Sequence, residues 1–266
     1  MDPAKNTKIA MANLCIGLMS GTSLDGVDAV VINTTATQLL AQTYLPYPKS
    51  LKQQLQKLTQ SGQTQLKDLA GIDIQVAHFF ADAVAVLLKN SNISATDIKV
   101  IGSHGQTIFH QGGEYSMQIG HGAIIAERSG ITVVSDFRMN DIAAAGQGAP
   151  LTPMYHQHLL QGKEGVVINL GGIANLTQVL KGIVTGFDTG PANTLLDSWI
   201  KKSKQLDYDR DGIWARSGLV DEYLLNTLLA DEYFKKPAPK STGPEYFNLA
   251  WLTTYLSGDE SPADVQ

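Results

Sequence analysis

Leu14–Met19 is a short apolar run that breaks at Ser20-Gly-Thr-Ser-Leu-Asp-Gly26, and Val27–Asn33 resumes with β-branched residues. Two such runs around a Gly-bounded turn predict a β-hairpin. The pattern returns later as Gly165–Leu170, a Gly171-Gly172 turn and Ala174–Leu180. Two glycine-turned hairpins of one design fit an internal duplication. They also fit two unrelated hairpins, and the pattern alone leaves both readings open. Between the hairpins, Gln38–Tyr44 predicts a third strand, closed by Pro46 and Pro48. Leu51, Leu55 and Leu58 recur at helical spacing. Leu66–Lys89 is apolar nearly all round, which predicts a long, deeply packed helix.

Ile98–Gly102 reads as a buried strand ending in Ser103-His104-Gly105-Gln106. Met117–Ile119 and Ile131–Ser135 read as strands, with a helix at Ala123–Arg128. Asp136–Pro150 reads as a polar, Gly/Ala-rich connection, and Thr152–Leu160 as a helix. After the second hairpin, Ile183–Phe187 predicts a strand that runs into Asp188-Thr-Gly-Pro-Ala-Asn193, then a helix to about Lys202. Strands alternating with helices in this way give an α/β fold class.

The chain has 266 residues, 43% hydrophobic and 17% charged, enough for one large domain or two ordinary ones with a sizeable core. A net charge of −5 argues against broad binding to nucleic acid or an anionic membrane. The one cysteine, Cys15, has no partner for an intrachain disulfide. The opening MDPAKNTKIAMANL has no apolar h-region and no small-residue cleavage site. No uncharged apolar stretch reaches the roughly 18–20 residues of a membrane helix. The nearest, Val76–Leu88, contains His78 and Asp82. A cytoplasmic location is expected. At the other end, Ser261-Pro262-Ala263-Asp264 has the form of a helix start. Either a polar tail frays there, or a helix of a longer protein is interrupted at Gln266.

Four constellations can carry chemistry. Gly21-Thr22-Ser23-Leu24-Asp25-Gly26 has the parts of a phosphate-binding loop. Its glycines permit positive φ and converging backbone N–H groups. Thr22 and Ser23 add hydroxyls, and Asp25 can hold Mg²⁺ through water. No Lys follows the second glycine, so it is not a Walker A loop, and an ordinary polar hairpin turn has the same composition. Asp188 stands where a strand is expected to end, in the region where α/β sheets bind ligands. There it can act as a general base or merely cap the next helix. Arg138 offers a donor fork suited to a carboxylate, or is a surface arginine. His104 and Gln106 can contact a polar substrate. The 6 histidines fall in no metal-ligand spacing. Tyr208-Asp-Arg-Asp-Gly212 opens like an EF-hand loop, but Val220 stands where its glutamate belongs.

Ile16-Gly-Leu-Met-Ser-Gly-Thr-Ser-Leu-Asp-Gly-Val-Asp28 resembles the N-terminal signature of the anhydro-N-acetylmuramic acid kinases, in the acetate kinase/Hsp70/actin-like superfamily. Ser103–Thr107, Asp136–Arg138 with Asp141-Ile142, Gly146–Pro150, Asn169–Asn175, Phe187–Pro191, Pro239–Gly243 and Glu245–Asn248 are similar to further blocks of the family, in family order. The resemblance implies a two-lobed actin-like (ribonuclease H-like) ATPase fold with ATP between the lobes. The division is expected near Pro150, giving residues 1–150 and 151–266. Family members continue beyond this point, so the second lobe is expected to be incomplete at the C-terminus.

The implied reaction opens 1,6-anhydro-N-acetylmuramic acid with water and phosphorylates O6 from ATP with Mg²⁺. Its product is N-acetylmuramic acid 6-phosphate, in peptidoglycan recycling. By resemblance, Gly21, Thr22, Ser23, Leu24, Asp25, Gly26, Val27 and Asp28 form the ATP-phosphate loop. Asp188 is the catalytic base, and Arg138, with His104, Gln106 and Thr189, meets the sugar. Asp25 is the Mg²⁺ candidate. A homodimer is implied, with no nucleic-acid or membrane partner. Two alternatives stand beside this reading: a nucleotide- or sugar-binding module without turnover, and another kinase of the superfamily.

Overall fold

A computed structural model describes residues 13–266, so most of the opening segment read above lies outside the described residues. The chain divides into two compact units. Unit 1 runs to His110 and takes in Ser116–Met139; unit 2 comprises Gln111–Tyr115 and Asn140–Gln266.

Unit 1 is built on a sheet of order β3-β2-β1-β4-β5, with β6 also paired to β4. Strands β1 (Leu14–Ser20), β2 (Gly26–Asn33) and β3 (Gln38–Pro46) form an antiparallel meander. β4 (Ile98–Gln111) returns parallel to β1, and β6 (Val133–Val134) lies parallel to β4. β5 (Tyr115–Ile119) borders β4 on the same sheet. This is the ribonuclease H-like order expected of an actin-like half. Leu14, Ile16 and Leu18 point into the core while their neighbours do not, the period-2 signature of a half-buried strand.

Helices α1 (Lys49–Ser61), α2 (Leu66–Ser91) and α3 (Gly122–Ser129) complete the unit. α2 buries Ile72, Val76, Phe80, Val84 and Leu87, and packs against β2, β3 and α3. One 18-residue window of α2 has a mean hydropathy of 1.5, so length and composition alone would let it cross a membrane. In the fold 44% of that window is buried, along the face that meets β2, β3 and α3, so the helix packs on one side and is not the deeply packed one expected.

Three local expectations are corrected. β4 does not stop at Gly102; pairing with β1 continues to Ser20↔Gln106 across a register shift, with Gly105 at φ 74°. The strand expected at Ile131–Ser135 shrinks to Val133–Val134. The supposed connection Asp136–Pro150 contains helix α4 (Phe137–Ala143). Its first residue, Phe137, lays its ring over Gly102, so a tertiary contact organises a segment that local composition reads as a loop.

Unit 2 holds α5 (Pro153–Leu160) and an antiparallel meander of β7 (Gly165–Leu170), β8 (Ile173–Leu180) and β9 (Ile183–Pro191). Helix α6 (Asn193–Lys204) follows directly. Short helices α7 (Glu222–Leu229), α8 (Glu232–Lys235), α9 (Leu249–Thr253) and α10 (Pro262–Val265) complete it. Tyr233 and Phe247, 1% and 0% exposed, anchor an aromatic cluster with Phe234, Tyr246 and Trp251. The residues around Ser261 are not frayed: Trp199 Nε1 donates to Pro262 O at 2.8 Å, and Leu219 N donates to Asp264 Oδ1 at 2.8 Å.

Candidate active site

In unit 1 the turn after β1 is held from beneath. Gln106, 0% exposed, places Oε1 2.6 Å from Ser20 Oγ and accepts from the Tyr47 hydroxyl at 3.2 Å. Its Nε2 donates to Gly21 O and to Thr107 O, both at 3.1 Å. Ser20 Oγ also donates to Gly26 O across the turn, at 2.7 Å. The Gly21 end of the loop is thereby tied to β4, and the Gly26 end to Ser20 of β1. Gln106, expected to reach substrate, has its amide committed to this brace. Burial pushes the Tyr47 hydroxyl up to about 12, so it stays a donor.

Above the brace Gly21, Thr22, Ser23 and Asp25 are exposed, while Leu24 and Val27 are buried. The backbone departs from expectation. Neither loop glycine has positive φ; that conformation falls to Leu24, at φ 57°. A left-handed non-glycine residue costs about 1–2 kcal/mol. Burying the Leu24 side chain, 5% exposed, recovers about 1.5–3 kcal/mol. Gly26 is required for another reason: a Cβ there would stand 2.3 Å from Leu45 O on β3. Asp25 Oδ1 lies 2.5 Å from Lys52 Nζ on α1. That hydrogen bond holds the carboxyl below its ordinary range, so Asp25 is ionised.

Also in unit 1, Arg138 sits in the first turn of α4, not in a loop. Its Nε donates to His104 Nε2 at 2.8 Å. His104 Nδ1 is 2.8 Å from Gly105 O. An acceptor at Nε2 and a carbonyl at Nδ1 assign the neutral Nδ1–H tautomer. Burial and then the Arg138 charge push His104 down to about 4, and the same two causes push His110 down to about 4. Both rings are uncharged at neutral pH.

Unit 2 carries Asp188, 5% exposed, inside β9 and not beyond its end. It does not cap α6, whose N-cap is Ala192. The segment 240–242 clamps it: Asp188 N donates to Lys240 O, and Thr242 N donates to Asp188 Oδ2, both at 3.0 Å. Tyr233 OH donates to Asp188 O at 2.7 Å. Asn175 is the cross-strand partner of Asp188 on β8. Asn175 Oδ1 and Thr242 Oγ1 are buried with no protein partner. Next along β9, Thr189 Oγ1 donates to Ala174 O at 3.1 Å. Gly190, at φ 153°, leaves no room for a Cβ, which would lie 2.8 Å from Phe234 Cε1. The turn of the second hairpin is fixed to α6, since Gly171 O and Gly172 O accept from the backbone N–H groups of residues 192–194.

The family model for anhydro-N-acetylmuramic acid kinase matches residues 13–266. The anhydro-N-acetylmuramic acid kinase of Aliivibrio fischeri is 48% identical over 260 residues, covering 94% of this chain and 71% of the relative. That of Vibrio cholerae is 47% identical over 258 residues, covering 94% and 70%. This chain belongs to the anhydro-N-acetylmuramic acid kinase family. It is an enzyme of the kinase class. Among solved structures, component A of (R)-2-hydroxyglutaryl-CoA dehydratase from Acidaminococcus fermentans matches with a TM-score of 0.40 at 9% identity, covering 84% of this chain and 72% of that one.

Within this kinase family member, the loop, Gln106, His104 and Arg138 belong to unit 1, and Asp188 and Thr189 to unit 2. Sequence reasoning missed the brace residues Ser20 and Tyr47, and the Thr242 contact on Asp188. The Pro239–Gly243 block was the one available signal for the last of these. It also missed Asp231, 8% exposed, whose carboxylate accepts from Tyr233 N, Tyr246 OH, Trp251 Nε1 and Tyr255 OH at 2.7–2.9 Å. Nothing near Asp231 in the sequence distinguishes it from a surface aspartate.

Proposed function

We propose that this chain is an ATP-dependent kinase that opens 1,6-anhydro-N-acetylmuramic acid with water and phosphorylates O6, yielding N-acetylmuramic acid 6-phosphate. Family membership supports the reaction class. The observation that carries the site is Asp188: a nearly buried carboxylate, oriented by the Thr242 N–H, beside two buried polar atoms without protein partners. Such a group is placed to accept a proton, because its geometry is set in advance.

Asp188 takes a proton from water, and the water oxygen forms a bond to C1 of the bicyclic sugar. The C1–O6 bond breaks, and its electron pair stays on O6. O6 then attacks the γ-phosphorus, and ADP departs. Phosphoryl transfer depends on positioning and charge neutralisation. The exposed Thr22 and Ser23 hydroxyls and the loop N–H groups serve the phosphates. Residues Gly21 to Asp28 make this loop, with Leu24 and Val27 contributing backbone only. The ionised Asp25 suits Mg²⁺ held through water, since hard cations take oxygen ligands. Mg²⁺ supplies neutralisation of charge developing on the phosphate oxygens. Arg138 receives the lactyl carboxylate, for which a guanidinium fork is the natural donor, and Thr189 lies beside the base. The enzyme acts in the cytoplasm on a small molecule.

ADP release in the presence of the anhydro sugar tests this. Asp188→Asn is expected to keep ATP binding and to lose about 10²–10⁴-fold in turnover, the usual contribution of a general base. Near-normal turnover in that variant would assign the base elsewhere.

A further inference from the structure

We infer that His104 is a positioning residue for Arg138, setting the guanidinium that selects the acidic sugar and not itself touching that sugar. The inference rests on the reading of Arg138 as the carboxylate receptor. Both ring nitrogens of His104 are engaged within the protein, Nε2 by Arg138 Nε at 2.8 Å and Nδ1 by Gly105 O at 2.8 Å. The ring is therefore fixed at both ends. Gly105 takes φ 74°, and a Cβ there would lie 2.7 Å from Ile119 O on β5, so the backbone whose carbonyl meets Nδ1 packs closely on β5 and requires glycine.

The arrangement dictates a direction. An arginine has one Nε–H and two terminal amino groups in one rigid plane. Fixing Nε–H on an acceptor fixes that plane and the direction of the terminal fork. A neutral imidazole is the right anchor, because it accepts without adding a charge that would compete for the guanidinium. A carboxylate at the same place would satisfy Arg138 and weaken its pull on an anionic ligand. The titratable ring that also feels the Arg138 charge is His110, whose Nδ1 lies 3.0 Å from Ser116 Oγ. It too is held neutral, so neither ring adds a second positive charge beside the guanidinium.

Four variants and two sugars test the assignment on the full chain. His104→Phe keeps a flat ring and removes the acceptor. His104→Gln places an amide oxygen close to where Nε2 stood. The sugars are 1,6-anhydro-N-acetylmuramic acid and 1,6-anhydro-N-acetylglucosamine, which lacks the lactyl acid. His104→Phe is expected to raise KM for the acidic sugar about tenfold, the low end for losing the partner that orients a ligand-binding group. The KM for ATP is expected to stay within about threefold, His104→Gln to recover most of the loss, and the non-acidic sugar to show no difference among the proteins. In an Arg138→Ala background, His104→Phe is expected to add nothing. An equal loss for both sugars would mean that His104 contacts the sugar ring, and an additive effect with Arg138→Ala would separate the two residues; either overturns the inference. Imidazole ¹⁵N spectra of the wild-type chain give a test that needs no variant. The Nδ1–H tautomer supports the assignment, and an Nε2–H tautomer overturns it. A wild-type chain that turns over neither sugar would overturn the kinase reading, while the tautomer would still decide the His104–Arg138 bond.

Discussion

Replacing Gln106 by Met keeps the length of the side chain and removes its amide. The consequence follows from the partners left behind. Ser20 Oγ can still donate to Gly26 O at 2.7 Å, and Tyr47 OH can still donate to Ser20 Oγ at 3.1 Å, so neither hydroxyl is orphaned. Gly21 O and Thr107 O lose their donors. A buried group left without a partner costs about 1–3 kcal/mol, and an exposed one less, because water replaces the donor. Gly21 is exposed and Thr107 half-buried. The sum is about 1–3 kcal/mol of lost stability around the loop. At about 1.4 kcal/mol per tenfold, this is about a five- to hundred-and-fortyfold rise in the opening equilibrium. Amide hydrogen exchange reads it locally. The reporters are Leu24 N–H, bonded to Gly21 O at 3.3 Å, and Tyr47 N–H, bonded to Asp25 O at 2.9 Å. Both are expected to exchange faster, with strands of unit 2 unchanged, and nucleotide affinity is expected to fall. Protection within threefold of wild type at both amides would refute the claim that Gln106 holds the loop.

Two further perturbations follow from close contacts elsewhere in the fold. Gly26→Ala drives a Cβ to 2.3 Å from Leu45 O and 2.8 Å from Pro46 Cα, both backbone atoms that cannot rotate away. The β2–β3 pairing must part there, at about 1–3 kcal/mol, and a thermal melt indistinguishable from wild type would contradict the stated contact. For Asp231, burial pushes the carboxyl up, but bonds from Trp251, the Tyr233 N–H, Tyr246 and Tyr255 outweigh it and hold it below the ordinary range. Its folded value lies below the unfolded value of about 3.9. Its stabilisation is therefore complete above that value and lost as pH falls through the folded one. Asp231→Asn is expected to cost about 1.5–3 kcal/mol at pH 7, from loss of charge-assisted bonds. The gap from wild type should narrow well below pH 4, in urea unfolding followed by tryptophan emission; a gap independent of pH would show that the charge does not matter.

Much of the fold could be read from local patterns. The hairpins β1–β2 and β7–β8 and helix α2 follow from strand periodicity, glycine turns and apolar content, all of which act between near neighbours. The errors share one cause. Gly102 and Phe137 meet across 35 positions, and that contact makes a helix of a segment whose composition reads as loop. Pairing with β1 carries β4 past Gly102 through residues that look like its end. Leu24 adopts the left-handed conformation because its side chain finds a core, which turn statistics cannot see.

Residue identities and their order determine the α/β class, the kinase family and which side chains are present to do chemistry, because motif spacing and hydrophobic period are properties of the chain itself. Which polar side chains face a ligand and which brace the protein depends on partners far apart in sequence. Gln106 is 86 positions from Ser20, and Arg138 is 34 from His104. A hydrogen bond needs its two atoms within about 3 Å, and only the folded chain brings those atoms together.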